Sequence, residues 1–310
     1  LMSQTVITLR GPTASGKTDL AISLIKELPL EIISVDSVMV YRGLDIGSAK
    51  PNQQTLDQYP HHLINISDPD NNYSLGKFFK DVNKAIRIIA ENKKIPILVG
   101  GTMMYFNILS KGLSNLPSSD DEIRKKIEHQ AEVMGWPELH KKLSEVDPIS
   151  AAKIKPNDKQ RIQRALEVIE LTGKPLSKFF KDQQHIKDYN FFNISLFATN
   201  RDRLYQRINS RFSKMLNDGL VDEVKGLLES TNISSSNNSM KSIGYREICA
   251  FLDNKLSLKE AEQNATMATR RLAKRQITWL RSLKDHNSYD ILENNLIQKI
   301  QDLIYQEFKL

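Results

Sequence analysis

Apolar positions along this chain recur at two periods. Thr5–Arg10, Glu31–Val35 and Ile95–Val99 are short runs of the buried-strand type, and His62–Ile66 is a weaker one. Between them the spacing turns helical. One such pattern follows the first strand and runs to Glu27. Another predicts a helix over Leu75–Asn92, with Phe78, Phe79, Val82, Ile86 and Ile89 on one side. Strands alternating with helices in this way predict βαβ units and a parallel sheet covered by helices. The expected class is therefore α/β.

The pattern changes near Pro117. From Asp120 to about Lys187 strand signals are missing, and two amphipathic helices are expected. One carries Ile123, Ile127, Ala131 and Met134, and the other Ile162, Ala165, Leu166 and Ile169. Phe191–Ala198 then reads as a strand returning to the sheet. Everything after it reads as helix, apart from a polar loop over Thr231–Ser239. This predicts a core in two parts, 2–116 and 191–310, interrupted by a helical insertion at 117–190. Leu1, ahead of Met2, is read as extraneous.

Composition narrows the class. Apolar residues make up 40% and charged residues 26% of 310, as in globular proteins. The single cysteine, Cys249, excludes a disulfide framework and a cysteine metal cluster. The most apolar stretch, Ile95–Leu109, is broken by Gly100, Gly101 and Asn107 and is too short to span a bilayer. With no charged and then apolar leader at the start, a cytoplasmic chain is expected. The net charge of +7 suits a polyanionic partner.

Gly11-Pro12-Thr13-Ala14-Ser15-Gly16-Lys17-Thr18 fits G-x-x-x-x-G-K-[ST], between a predicted strand and a predicted helix. Its glycines let backbone N–H groups wrap a phosphate chain, with the helix N-terminus aimed at the anion. Lys17 is placed to neutralise terminal phosphate charge, and the Thr18 hydroxyl to hold Mg²⁺. Asp36 ends the second strand, where open parallel sheets bind ligands. The same position also suits a helix cap or an Asx-turn. Arg203, Arg207 and Arg211 recur every four residues along one helix face. Ala268–Lys284 holds Arg270, Arg271, Lys274, Arg275, Arg281 and Lys284 without an acid. A helical wheel puts Ala265, Ala268, Leu272, Trp279 and Leu283 on its core face, opposite Arg270, Lys274 and Arg281. Such an unpaired cationic stripe favours a phosphate backbone as partner.

Gly11–Thr18, Asp36-Ser37, Tyr41–Pro51, Gly100-Gly101-Thr102 and Ala273-Lys274-Arg275-Gln276-Ile277-Thr278-Trp279 occur in this order and at these spacings. Together they resemble the tRNA dimethylallyltransferase, or tRNA isopentenyltransferase, family over most of the chain. The resemblance implies a P-loop NTPase-like sheet with a tRNA-binding helical insertion. It implies transfer of a dimethylallyl group from dimethylallyl diphosphate to N6 of the adenosine 3′-adjacent to the anticodon, with Mg²⁺ as cofactor. On that pattern Asp36 is the general base and Thr102 lies beside the reacting adenosine. Gly11–Thr18, Arg211 and, as second choice, Arg207 bind diphosphate. The implied contacts with the tRNA anticodon stem-loop are Asp36, Ser37, Val38, Met39, Thr102, Arg124, Gln160, Arg161, Ile162, Gln163, Arg164, Lys241, Ser242, Ile243, Gly244, Tyr245 and Arg246. Arg270 and Lys274 join them from the basic stripe. Met39, Met103 and Ser242 depart from residues common in the family. A monomer is expected. A P-loop kinase suits the loop and fold class equally and would need a site for a phosphoryl acceptor. A prenyltransferase acting on free adenine nucleotides shares the core but needs neither the insertion nor the basic helix.

Overall fold

The computed structural model describes residues 4–114, 116–180, 183–184, 189–230, 232–284 and 286–309. The expected insertion end near Lys187 and the loop start at Thr231 fall outside them. The elements in order are β1 (Gln4–Arg10), α1 (Lys17–Glu27), β2 (Leu30–Val35), α2 (Gln53–Gln58), β3 (His61–His62), α3 (Leu75–Glu91), β4 (Ile95–Gly100) and α4 (Met103–Lys111). There follow β5 (Leu113–Ser114), α5 (Asp121–Met134), α6 (Trp136–Val146), α7 (Pro148–Ala151), α8 (Lys159–Thr172), α9 (Leu176–Phe179) and β6 (Gln183–Gln184). The chain closes with β7 (Tyr189–Phe197), α10 (Arg201–Asn217), α11 (Leu220–Ser230), α12 (Tyr245–Leu252), α13 (Leu258–Arg281), β8 (Asn287–Asp290) and α14 (Leu296–Phe308). It forms two compact units, Leu1–Asn107 with Lys187–Leu310, and Ile108–Ile186. The division falls within α4.

The first unit is built on a parallel sheet of order β3-β2-β4-β1-β7-β8. Alternation along the strands sends Ile7, Leu9, Ile32, Ile97, Val99, Ile194 and Leu196 to one face, where Leu20, Ala21 and Leu24 of α1 and Ile300 and Ile304 of α14 cover them. On α3, Phe78, Val82, Ile86 and Ile89 are buried, and Ser74 caps its first turn by accepting from the Lys77 amide at 3.2 Å. A second apolar cluster holds the segment after β2 in place. Val40, Tyr41 and Leu44 pack with Phe212, Leu220, Val224 and Tyr245.

Three strand expectations need correction. The third strand shrinks to His61–His62, because Leu63 (φ 65°) and Asn65 (φ 55°) adopt left-handed backbone that a ladder cannot continue through. The C-terminal region is not wholly helical: Asn287–Asp290 extends the sheet by pairing with Ile194–Phe197. The insertion is not free of strand either, since Gln183–Gln184 pairs with Leu113–Ser114. Segments this short and polar carry no periodic signal and become strands only through their partners.

The second unit is helical apart from that short pair. Ile127, Ala131, Leu139 and Ile162 form one of its apolar clusters, and Leu143, Ala151, Ala165, Val168 and Leu176 another. Glu167 lies on the buried side of α8 with a fully buried side chain. It accepts from the Asp120 amide at 2.8 Å, Arg124 Nε at 2.9 Å and Arg164 Nη1 at 2.7 Å. Burial pushes its carboxyl up, but these hydrogen bonds more than reverse this and leave its pKa below the ordinary glutamate value. A depressed carboxylate stabilises the fold above its unfolded pKa, and the stabilisation is lost as pH falls through the lower folded value. Glu167→Gln is expected to cost roughly 3 kcal/mol at neutral pH, because two guanidiniums lose their buried counter-ion. Urea unfolding checks this: the gap between wild type and variant should be wide at neutral pH and should shrink by about pH 3, below the ordinary carboxylate range.

Candidate active site

The end of β1 runs directly into the phosphate loop. Gly16 takes φ 83° at the N-terminus of α1, and Ala14 takes φ 60°. Left-handed residues in a short loop turn successive amides inward, which makes an anion-binding concavity. Lys17 folds back over the loop, donating to the Pro12 carbonyl at 2.6 Å and to Ser15 Oγ at 3.2 Å. Burial is the main reason its pKa falls to about 7. The nearby Arg211 charge lowers it further, and Asp36 opposes both. An arriving diphosphate restores the charge that burial suppresses.

Helix α10 brings two of its arginines to the same place. Arg207 Nη2 lies 3.3 Å from where a Cβ on Gly16 would be. Arg211 Nη2 donates to the Ser48 carbonyl at 3.3 Å. Burial also lowers the pKa of Arg211, against the pull of Asp36. Arg203, on the same stripe, is exposed, as Arg207 also is, whereas Arg211 is half-buried.

Asp36 leaves β2 facing these cations. Its Oδ1 accepts from the Val38 amide at 2.8 Å and the Met39 amide at 3.2 Å, so the turn-forming role and the charge-facing position coexist in one residue. Among the described residues its second oxygen makes no hydrogen bond. The next residue is anchored too: the Ser37 amide donates to Thr102 Oγ1 at 3.2 Å. Thr102 is held in turn by its amide, which donates to the Val35 carbonyl at 3.3 Å. Gly100 makes this approach possible, because a Cβ there would lie 2.1 Å from the Val35 oxygen.

Several expected site residues have other duties. Ile162, Gly244 and Tyr245 are buried, and Tyr245 donates to Glu223 at 2.7 Å. They support neighbouring exposed residues rather than offer surface themselves. Gln160, Arg161, Lys241 and Arg246 are exposed, Gln163 and Ser242 half-buried, and Arg246 pairs with Glu247. Arg124 and Arg164 are held by Glu167. The wheel assigned to Ala268–Lys284 is rotated. That segment belongs to a longer helix, opened by Ser257 and Glu260, whose buried face is Ala261, Ala265, Ala273, Gln276, Ile277 and Leu280. Arg270 therefore flanks the core, donating to Asn209 at 2.8 Å and lying 5.1 Å over the Tyr205 ring. Lys274, Arg271 and Arg275 are exposed.

One contact had no counterpart in the sequence reading. Gln276 accepts from the Thr13 amide at 2.9 Å and donates to the Gly101 carbonyl at 2.7 Å. The Thr13 amide is thus already occupied, and Pro12 has none to give. The signal was available as a polar residue on the apolar face of a helix, between Ala273 and Ile277.

A family model described as IPP transferase matches residues 39–283. The chain belongs to this family. It is 48% identical to the tRNA dimethylallyltransferase of Nitrosomonas europaea, over 97% of this chain and 96% of that protein. It is 46% identical to the tRNA dimethylallyltransferase of Coxiella burnetii, over 96% of each. Solved structures agree. A full-length tRNA isopentenylpyrophosphate transferase from Bacillus halodurans is 38% identical, with a TM-score of 0.71 over 99% of this chain and 97% of that one. A eukaryotic dimethylallyltransferase acting on tRNA is 27% identical, with a TM-score of 0.82 over 99% of this chain and 80% of that one.

In this IPP transferase family member the cations around the loop define a test. Lys17→Ala and Arg211→Ala should each weaken binding of inorganic diphosphate roughly tenfold to a hundredfold, the worth of one charge-assisted hydrogen bond. Arg203→Ala should change it less than about twofold, because an exposed charge is screened. Isothermal calorimetry distinguishes the three variants.

Proposed function

We propose that this chain transfers the dimethylallyl group of dimethylallyl diphosphate to the exocyclic N6 of the adenosine 3′-adjacent to the anticodon of tRNA, releasing diphosphate. The observation that carries this reading is Asp36, a carboxylate fixed by two amides that faces Lys17 and Arg211 beside the phosphate loop. A base for the nucleophile and a cationic seat for the leaving group share one crevice. The relatives named above carry dimethylallyl transfer to tRNA in their names, which supports this reading.

The N6 lone pair forms the new C–N bond to C1 of the dimethylallyl group. The C1–O bond breaks, and its electron pair leaves with diphosphate. An amine attached to an aromatic ring is a poor nucleophile, so Asp36 takes the N6 proton as the bond forms. Lys17, Arg207, Arg211 and the loop amides from Ala14 to Thr18 hold the charge that accumulates on the leaving group. Thr102, tied to Ser37, borders the adenine side.

Mg²⁺ fits as a companion of the diphosphate. The Thr18 hydroxyl is a hard oxygen donor at the loop, and among the described residues no group of three His, Cys, Asp or Glu side chains could hold a metal by itself. The Thr18 hydroxyl would help to hold the ion, which would supply further neutralisation of the leaving group's charge. Among the described residues no helix is long and apolar enough to cross a membrane. A cytoplasmic monomer accompanies the reading.

The target base must leave its stack to reach a crevice lined by Asp36 and Thr102, at a cost of a few kcal/mol that contacts to the rest of the stem-loop offset. Exposed Gln160 and Arg161 on the helical unit, and Lys241, Arg246, Arg271, Lys274 and Arg275 on the sheet unit, are the groups for this.

Asp36→Ala should lower turnover by roughly two to four orders of magnitude, the scale of a lost general base, while stem-loop affinity changes much less. The assay follows prenyl transfer from dimethylallyl diphosphate to an unmodified anticodon stem-loop. Formation of ADP from ATP and a small acceptor, without prenyl transfer by the wild type, would sink the reading in favour of a kinase. In a salt series, the Lys274→Ala/Arg275→Ala double variant should bind tRNA with a slope smaller by about one unit for each phosphate that it no longer neutralises. Parallel salt lines would show that this helix face does not meet RNA.

A further inference from the structure

Gln276 lies on the apolar face of α13 and is only 6% exposed. A primary amide in such a place must find both a donor and an acceptor, or bear the full cost of desolvation. Its carbonyl takes the Thr13 amide at 2.9 Å, and its NH₂ gives to the Gly101 carbonyl at 2.7 Å. The fit is close. A Cβ on Gly101 would lie 2.6 Å from Gln276 Nε2, so only glycine admits the amide there.

The two partners belong to different halves of the crevice. Thr13 sits in the phosphate loop. Gly101 is bonded to Thr102, whose hydroxyl accepts from the Ser37 amide next to Asp36. A continuous path thus runs from the diphosphate seat through one side chain to the general base. The other side of the same helix carries exposed Arg271, Lys274 and Arg275.

We infer that Gln276 is a positioning residue for prenyl transfer, fixing the spacing between the phosphate loop and the turn that carries Thr102 and braces Asp36. This rests on the prenyl-transfer reading above. The diphosphate is assigned to Lys17, Arg207, Arg211 and the loop amides from Ala14 to Thr18, whereas Gln276 takes the Thr13 amide. Losing the brace therefore leaves binding nearly intact. It lets C1 of the isoprenoid and N6 of the adenine drift apart, and a displacement of about 1 Å can cost on the order of a hundredfold in rate.

The test is single-turnover prenyl transfer to an anticodon stem-loop with both substrates saturating, at a temperature well below each variant's melting point. Gln276→Met, which keeps the volume and removes both hydrogen bonds, should slow transfer roughly tenfold to a hundredfold. Its affinities for inorganic diphosphate and stem-loop should stay within about threefold of wild type. Gly101→Ala attacks the other end of the brace and serves if Gln276→Met does not fold. Where both fold, the double variant should be about as slow as the slower single variant, because both remove one connection. A Gln276→Met rate within twofold of wild type overturns the assignment. So does a drop in rate, affinity and melting temperature in parallel, which marks plain structural damage. So too do additive effects in the double variant. A wild type that binds diphosphate but transfers nothing overturns the prenyl-transfer reading itself, and the role of Gln276 with it.

Discussion

Lys17 and Arg211 feel each other's charge in a place with little water to screen it. Like charges held together this way cost free energy in the fold until an anion arrives. The structure spreads that cost over several groups. Pro12 and Ser15 take hydrogen bonds from the Lys17 ammonium, the Ser48 carbonyl takes one from Arg211, and Asp36 supplies the opposing charge. The carboxylate proposed as the base is also the one whose charge opposes the two cations. Asp36 is held by its Asx-turn, and the residue beside it by the hydrogen bond from the Ser37 amide to Thr102.

The same solution recurs wherever the fold needs a firm loop. A buried or half-buried polar side chain reaches out from a helix and satisfies backbone groups far away in sequence. Glu223 takes the amides of Asp45, Ile46 and Gly47 together with the Tyr245 hydroxyl. Glu167 takes the Asp120 amide and two arginines. Gln276 joins Thr13 to Gly101. Such groups are costly to bury alone and specific when fully paired. Each fixes a segment beside residues assigned to substrate, so rigidity is concentrated where geometry matters most.

The sheet strands, the helix periodicities and the phosphate loop were legible because their causes are local. Alternation and 3.6-residue spacing show in a window of a dozen residues. The loop's glycine and lysine act within one turn of chain, whereas Asp36 at its strand end suited a cap or Asx-turn as well, and only the family resemblance singled it out as a base. Spacing of four on one helix gave the stripe of Arg203, Arg207 and Arg211, and the family resemblance picked Arg211 and then Arg207 from it. Where a cause lies elsewhere in the chain, the reading failed. Asn287–Asp290 becomes a strand only against Ile194–Phe197. The wheel drawn for the basic helix rests on its apolar side chains, and the face that is actually buried includes a polar residue, Gln276. Its partner Thr13 lies 263 positions away.

By itself, then, the sequence determined the inventory: a phosphate loop, a strand-end carboxylate, an arginine stripe and a basic helix, each set by short-range sterics and periodicity. Tertiary structure decided which of those side chains are free. Tyr245 and Ile162 went into the core, Arg124 and Arg164 to Glu167, and Arg270 to Asn209 and Tyr205, while Lys274 and Arg161 stayed in solvent. The physical reason is that desolvation and pairing depend on what surrounds a group in three dimensions. Those surroundings come from segments that no local window contains.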